Sequence, residues 1–214
     1  KYVDENQTVR FLIAECDYSI TAMTALYYSK IFNVEEKIDI SPLFETEKGL
    51  TIGHNIIGTL LKNLHFKKYV LKRKKLSIQT GFSDAGRYLG QSAAVLSIEN
   101  LQRKIAHILS NERLKDVKLL IFNTHGESIG RGGHPISLKD RLNYVSCNYT
   151  REKLKEWKID LVQEMSFQGG DGYQYFMNNE LAFACICRIT EFCFDDNLSK
   201  KFEVPLIASQ EVFY

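Results

Sequence analysis

The residues of this chain best suited to chemistry fall at the ends of its apolar runs. The run Leu119 to Phe122 leads into Thr124-His125-Gly126-Glu127-Ser128-Ile129-Gly130-Arg131-Gly132-Gly133-His134-Pro135. Gly130, Gly132 and Gly133 allow a turn with outward N–H groups, as a phosphate-cradling loop requires. Arg131 sets a permanent, fork-shaped cation among them, suited to a phosphate or a carboxylate. A glycine-rich turn with one arginine is often no more than a surface loop, so the other run ends carry the argument. Glu15 and Asp17 follow the first run, Glu45 ends the second, and Ser83-Asp84 follow the third. Gln168 and Asp171 follow the fifth.

Two of these acids, Glu45 and Asp84, form a minimal site for Mg²⁺ or Mn²⁺. Such ions take one or two protein carboxylates and leave other positions to water and a phosphorylated substrate. Arg87 stands three residues after Asp84, one helical turn on, within reach of the same ligand. Two acids, a metal and two arginines suit a phosphate ester that also bears a carboxylate. An enolate formed in such a site would be stabilised electrostatically. The plain structural alternative is that Asp17, Ser83 and Asp84 cap helices. It fits Glu45 poorly, because Pro42-Leu43-Phe44 precede it in a buried run.

The elements that must position these groups alternate regularly. Strands are expected at Arg10 to Ala14, Lys37 to Phe44, Leu76 to Phe82, Val117 to Phe122 and Leu161 to Phe167. Thr21 to Phe32 places Ala22, Ala25, Leu26, Ser29 and Phe32 on one helical face. Further helices are expected near Ile56 to Leu64, from Tyr88 to Leu109, within Asn143 to Lys158, and from Tyr173 to Phe194. This alternation predicts an α/β fold with parallel strands and crossover helices. In such folds the C-terminal strand ends face the site, so the polar residues above should converge. No GxGxxG follows the first strand and no Walker loop occurs, which removes the common nucleotide-binding readings. About five β/α units are visible, too few to close an eight-fold barrel alone.

Composition narrows the class. The chain has 214 residues and a net charge of +2, with no global attraction to nucleic acid or membrane. No apolar run reaches the roughly 20 residues of a membrane-spanning helix. Cys16, Cys147, Cys185, Cys187 and Cys193 form no CxxC pair, and Cys185 and Cys187 fall in the apolar run Leu181 to Ile189. Buried, reduced thiols in a cytoplasmic protein are therefore expected.

The motifs together resemble phosphoenolpyruvate carboxylase, in detail the shorter archaeal type of that family. They are Ser41-Pro42-Leu43-Phe44-Glu45-Thr46, Gly81-Phe82-Ser83-Asp84, His125 with Ile129-Gly130-Arg131-Gly132-Gly133, and Gln168-Gly169, in that order. The longer type reads PLFET, GYSDSxKD, HGRGGxxGRGG and TEQGE at these places. The likeness runs from about Phe11 to Phe194.

The resemblance implies part of a (β/α)8 TIM-type barrel with its site at the C-terminal strand ends. It implies a lyase using phosphoenolpyruvate and bicarbonate, dependent on Mg²⁺ or Mn²⁺, and a cytoplasmic homotetramer. Glu45 and Asp84 match the metal ligands. Arg87 stands where the longer type has a lysine. Arg131 matches the arginine that stabilises carboxyphosphate. His125 and Gln168 match the histidine and glutamine of their motifs, and Ser83, Gly130, Gly132 and Gly133 join Gln168 in binding substrate. Glu127, Phe167 and Gly170 depart from the longer type.

The family's catalytic histidine lies in a TxHPTE-like motif, and His54, His65, His107 and His134 all lack that context. The chain is thus expected to be one domain over residues 1–214, the central or C-terminal portion of the barrel, inactive by itself. Two rival readings are a phosphoenolpyruvate-using phosphotransferase barrel and a non-catalytic fragment that binds anions or serves assembly.

Overall fold

The computed structural model describes residues 8–124, 145–165 and 179–194. Five strands, β1 (Val9–Ile13), β2 (Ile38–Phe44), β3 (Lys75–Thr80), β4 (Lys118–Asn123) and β5 (Leu161–Met165), lie side by side in chain order, all parallel. Between them run α1 (Ser19–Ile31), α2 (Glu47–Lys62), α3 (Leu64–Arg73), α4 (Ser83–Leu89), α5 (Gln91–Asn111) and α6 (Asn148–Trp157), with α7 (Asn179–Phe194) after β5. The expected parallel α/β architecture is present. Among the described residues no helix is long and apolar enough to cross a membrane.

The sheet is strongly curved. β1 and β5 are its outermost strands, which in a flat sheet would stand about 19 Å apart, four strand spacings. Nevertheless Arg10 of β1 forms an ion pair with Glu164 of β5. Its guanidinium also lies 4.5 Å from the ring centroid of Phe122 on β4. Side chains alone do not span 19 Å, so the sheet curls to bring the concave sides of its edge strands together. The strand register puts Arg10, Asp39, Ser41, Leu43, Ser77, Gln79, Phe122 and Glu164 on this concave side.

The convex side carries the main core. Ile40, Phe44, Leu76, Ile78, Leu119 and Ile121 are buried there with Ile57, Leu60 and Leu61 of α2 and Ile98, Leu101 and Ile105 of α5. β2 and β3 pair only at Leu43↔Gln79 and Phe44↔Thr80, so the two strands splay toward their N-terminal ends. Tyr69 of α3 fills the gap. Its hydroxyl donates to the Ile38 carbonyl at 2.8 Å and accepts the Ile40 N–H at 2.9 Å, replacing the missing ladder. Pro42 sits further along the same splayed side, where its lack of an N–H removes no hydrogen bond.

Several boundaries differ from the expected ones for local reasons. Asn63 separates α2 from α3, its side chain accepting the N–H groups of His65 at 2.9 Å and Phe66 at 3.4 Å. The expected helix near Ile56 to Leu64 is therefore two helices. The long pattern after β3 is divided into α4 and α5 at Gly90, whose φ of +83° favours glycine. Phe32 is 70 % exposed instead of buried, because α1 ends at Ile31 and Asn33 turns left-handed at φ 54°. Cys187, expected to be buried, is only half-buried, while Cys16 is buried and Cys147 is exposed.

Candidate active site

Glu45 directly follows β2 and is held on both sides. Phe44 before it is fully buried, and its carbonyl accepts the Gly81 N–H at 3.0 Å. Thr46 after it caps α2, its Oγ1 accepting the Gly49 N–H at 3.0 Å. The strand end and the helix start thus leave the Glu45 backbone little freedom, and its half-buried side chain points where β2 and β3 finish. The space is available only because residue 81 is glycine. A Cβ built there would lie 2.4 Å from the Glu45 Cβ and 2.8 Å from its Oε2.

Asp84 reaches the same region from the first turn of α4. It is not the helix cap, since that position belongs to Phe82, which makes no side-chain capping bond. Phe82 is instead tied to the next strand: its N–H donates to Thr124 Oγ1 at 3.1 Å, while the Thr124 N–H donates to the Thr80 carbonyl at 3.1 Å. Arg87 completes the group. Its Nη1 lies 3.3 Å from Asp84 Oδ1, and its Nη2 donates to Ser83 Oγ at 3.2 Å. Thus Ser83, Asp84 and Arg87 stand together one turn from the end of β3.

The electrostatics set Glu45 apart. Burial raises its carboxyl above the ordinary value, and the neighbouring Asp84 and Glu15 carboxylates raise it further. Glu15, at the end of β1, holds a left-handed φ of 45°. Asp17, expected among the same convergent acids, is neutralised by Lys48 at 2.7 Å. Among the described residues no group of three His, Cys, Asp or Glu side chains could hold a metal ion. Glu45 and Asp84 present hard carboxylate oxygens of the kind Mg²⁺ and Mn²⁺ accept.

A polar chain supports this end of the sheet. Thr80 Oγ1 donates to Asn123 Oδ1 at 2.7 Å, and Asn123 Nδ2 donates to Gln163 Oε1 at 3.0 Å. Gln163 Nε2 then donates to Ser146 Oγ at 2.5 Å, and Ser146 Oγ to Gln102 Oε1 at 2.9 Å. Alongside it, Glu99 of α5 accepts the Cys147 N–H at 2.7 Å and the Thr150 hydroxyl at 2.6 Å, anchoring the start of α6. No sequence pattern marks these residues, because they are uncharged and scattered over β3, β4, β5, α5 and the turn before α6.

Of the site residues expected from sequence, Glu45, Ser83, Asp84 and Arg87 are thus brought together. His125, Gly130, Arg131, Gly132, Gly133 and Gln168 lie outside the described residues, as do Glu127, Phe167, Gly170 and Asp171. In the sequence Gly81 belongs to the Gly81-Phe82-Ser83-Asp84 motif, and its role in making room for Glu45 follows only from the geometry.

Comparison with known proteins bears on the same region. A family model described as phosphoenolpyruvate carboxylase matches residues 12–138. Among curated relatives, a phosphoenolpyruvate carboxylase of Hahella chejuensis is 30% identical over 113 residues, covering 53% of this chain and 12% of the relative. One from Corynebacterium glutamicum is 31% identical over 104 residues, covering 48% of this chain and 11% of the relative. Phosphoenolpyruvate carboxylase 1 of Chlamydomonas reinhardtii is 24% identical over 131 residues, covering 61% of this chain and 13% of the relative. The chain therefore matches only a small part of the length of these relatives. The matched stretch contains both carboxylates, Gly81, Arg87 and the glycine-rich segment, and on that match the chain belongs to the phosphoenolpyruvate carboxylase family.

Proposed function

We propose that this chain is the part of a phosphoenolpyruvate carboxylase that holds the divalent metal and the phosphorylated substrate. The observation that carries this reading is the meeting of Glu45 and Asp84 at neighbouring strand ends, in a chain of that family. The residues fit Mg²⁺ or Mn²⁺: both donors are carboxylates, and a cation would offset the burial, and then the repulsion from Asp84 and Glu15, that raise the Glu45 carboxyl.

In the reaction, the phosphoryl group of phosphoenolpyruvate passes to bicarbonate, giving carboxyphosphate and the enolate of pyruvate. Carboxyphosphate releases CO₂ and phosphate, and the enolate carbon attacks CO₂ to form oxaloacetate. The metal, when bound, supplies positive charge where the enolate oxygen develops. Glu45 and Asp84 hold that charge in place. Arg87, already beside Asp84, offers its guanidinium to phosphoryl or carboxylate oxygens, with Ser83 orienting it. Arg131, in the sequence between β4 and α6, offers the same bidentate chemistry, and Gly130, Gly132, Gly133, His125 and Gln168 complete the set of residues assigned to substrate. The curved sheet is five strands of the eight-stranded barrel, and the family setting is a cytoplasmic homotetramer. The departures at Glu127, Phe167 and Gly170 support the archaeal type.

The test is oxaloacetate formation from phosphoenolpyruvate, bicarbonate and Mg²⁺ or Mn²⁺, by this chain and by the longest protein that carries it. The longer protein turns over and the chain alone does not. Glu45→Ala, Asp84→Asn and Arg131→Ala each abolish turnover in the longer protein. Unchanged turnover in Glu45→Ala overturns the site, and absence of oxaloacetate in the longer wild-type protein overturns the activity.

A further inference from the structure

Gly81 lies between the two proposed metal ligands in sequence and packs against one of them, Glu45, yet nothing in its own backbone requires glycine. Among the described glycines only Gly90 has a positive φ, so alanine at position 81 meets no conformational penalty from the backbone. What excludes a side chain is Glu45. A Cβ at position 81 would stand 2.4 Å from the Glu45 Cβ, far inside the roughly 3.5–4.0 Å at which carbon atoms rest in contact. Rotating Glu45 about its side-chain bonds does not relieve this contact, because a Cβ position is fixed by the backbone. The same built atom lies 2.8 Å from Glu45 Oε2 and 3.4 Å from Glu45 Cα.

The backbone on both sides resists a shift. Phe44 is clamped by Gly53 of α2, where a built Cβ would come within 2.9 Å of the ring. Its carbonyl receives the Gly81 N–H itself, at 3.0 Å. Thr46 is committed to capping α2. After Gly81, Phe82 is fixed to Thr124 by its N–H. Position 81 is therefore pressed against Glu45 by hydrogen bonds on two strands, and only a residue without a Cβ fits.

We propose that Gly81 is a positioning residue for the metal site: by having no side chain it lets the Glu45 carboxylate lie against the end of β3, turned toward Asp84. The inference rests on the metal reading of Glu45 and Asp84 given above, and it adds a residue that touches neither metal nor substrate. Substituting alanine moves the Glu45 carboxylate away from Asp84 and separates the donor pair.

The experiment combines Mn²⁺ binding with a double-mutant stability cycle on this chain. The variants are Gly81→Ala, Glu45→Gly and the two together, with Gly58→Ala as control. A Cβ at Gly58 meets only Ile108 Cδ1, at an ordinary 3.6 Å. Gly81→Ala lowers Mn²⁺ affinity at least tenfold and lowers the urea midpoint, while Gly58→Ala leaves Mn²⁺ affinity unchanged. In the Glu45→Gly background Gly81→Ala becomes nearly neutral to stability, because the clashing Cβ is gone. Should Gly81→Ala fail to fold, recovery of folding in the double variant supports the contact, and failure of both overturns it. Wild-type Mn²⁺ affinity in Gly81→Ala, or an equal loss of stability in both backgrounds, also overturns the proposal. If the wild-type chain binds no Mn²⁺, the metal reading fails, and additivity or non-additivity in the cycle still decides whether Gly81 positions Glu45.

Discussion

The two ends of the sheet treat charge in opposite ways. At the N-terminal end Asp39 is nearly buried and shared by two cations, Arg73 and, at 2.5 Å, Lys75. Lys72 meets Glu36 there, and Lys118 meets Asp160 at 3.4 Å. At the C-terminal end Glu45 is half-buried beside Asp84 and Glu15, and its carboxyl is pushed up. At one end every named acid is paired with a cation, which holds strands and helices in place. Excess negative charge at the other end opposes folding and suits a cation from solution. In a parallel α/β sheet this is the expected division, with stability at the base and chemistry at the C-terminal ends.

The largest expected effects come from exchanging an acid at each end for its neutral isostere. Glu45→Gln abolishes Mn²⁺ binding by the chain, read by calorimetry. In metal-free buffer it does not destabilise the fold. Below its ordinary value of 4.5 the Glu45 carboxyl is protonated in folded and unfolded chains alike. As pH rises past that value the unfolded chain ionises first, so this residue makes stability fall until the folded carboxyl ionises too. Urea midpoints from pH 4 to 8 therefore decline less with pH in Glu45→Gln than in wild type. Asp39→Asn does the reverse. It leaves Mn²⁺ affinity intact and lowers stability by about 3 kcal/mol, because Arg73 and Lys75 lose their shared counter-charge. If both substitutions destabilise equally, the contrast between the ends is wrong.

Tyr69 tests whether the N-terminal end is held by more than ion pairs. Tyr69→Phe leaves the Ile40 N–H and Ile38 carbonyl without the partner that replaces β3, a loss of about 2 kcal/mol by denaturant titration. Burial pushes the phenol up to about 12, with Asp39 adding to the rise and the Ile40 N–H and Arg73 opposing it. Between the ordinary value of 10.0 and about 12 the unfolded chain ionises first, so stability falls as pH rises through that window. The phenylalanine variant lacks this alkaline slope. An identical slope in both proteins would remove Tyr69 as its source.

Glu99 sharpens the comparison by holding the residue type constant. Burial alone would raise its carboxyl as it does that of Glu45. Hydrogen bonds from Thr150 and Cys147, with help from Arg103, outweigh burial and lower it. Its contribution is thus present above the ordinary value of 4.5 and is lost as pH falls through the lowered folded value. Glu99→Gln lowers stability at neutral pH by about 1.5 kcal/mol, the lower end for one hydrogen bond to a charged group, and flattens the acid limb of the unfolding profile. Equal acid sensitivity in variant and wild type would show that these donors do not favour the ionised form.

Much of this was legible in the chain itself, for reasons that can be named. The buried runs around Ile40, Ile78 and Ile121 read as parallel strands because both faces of such strands are covered. Glu45 stood out because an acid at the end of a buried strand is unfavourable without a task, whereas Asp84 alone reads equally well as a helix cap. The division of α2 from α3 did not stand out, since Asn63 acts there through a side-chain cap inside a continuous helical pattern. The role of Tyr69 was hidden because it depends on the splay between β2 and β3. The clash at Gly81 was hidden as well, since it joins residues 36 positions apart through their Cβ atoms. Such features arise from distances across elements, and periodicity carries no information about them.

The smallest expected effect on stability belongs to Arg87, which makes it a clean probe of the C-terminal end. Its side chain is 65 % exposed, and its partner Asp84 is 38 % exposed. An exposed pair three residues apart on a helix contributes little, because solvent screens it and two side chains must be ordered to make it. Arg87→Ala therefore changes stability by less than about 0.5 kcal/mol. The same substitution removes the described cation nearest the proposed metal ligands, so it raises the KM for phosphoenolpyruvate in the longer protein. Arg87→Lys restores most of that affinity, since charge matters more than the fork at an exposed position. The measurement is KM and kcat for both variants beside their urea midpoints. A stability loss in Arg87→Ala comparable to that of Asp39→Asn, with an unchanged KM, would place Arg87 with the structural ion pairs of the opposite end.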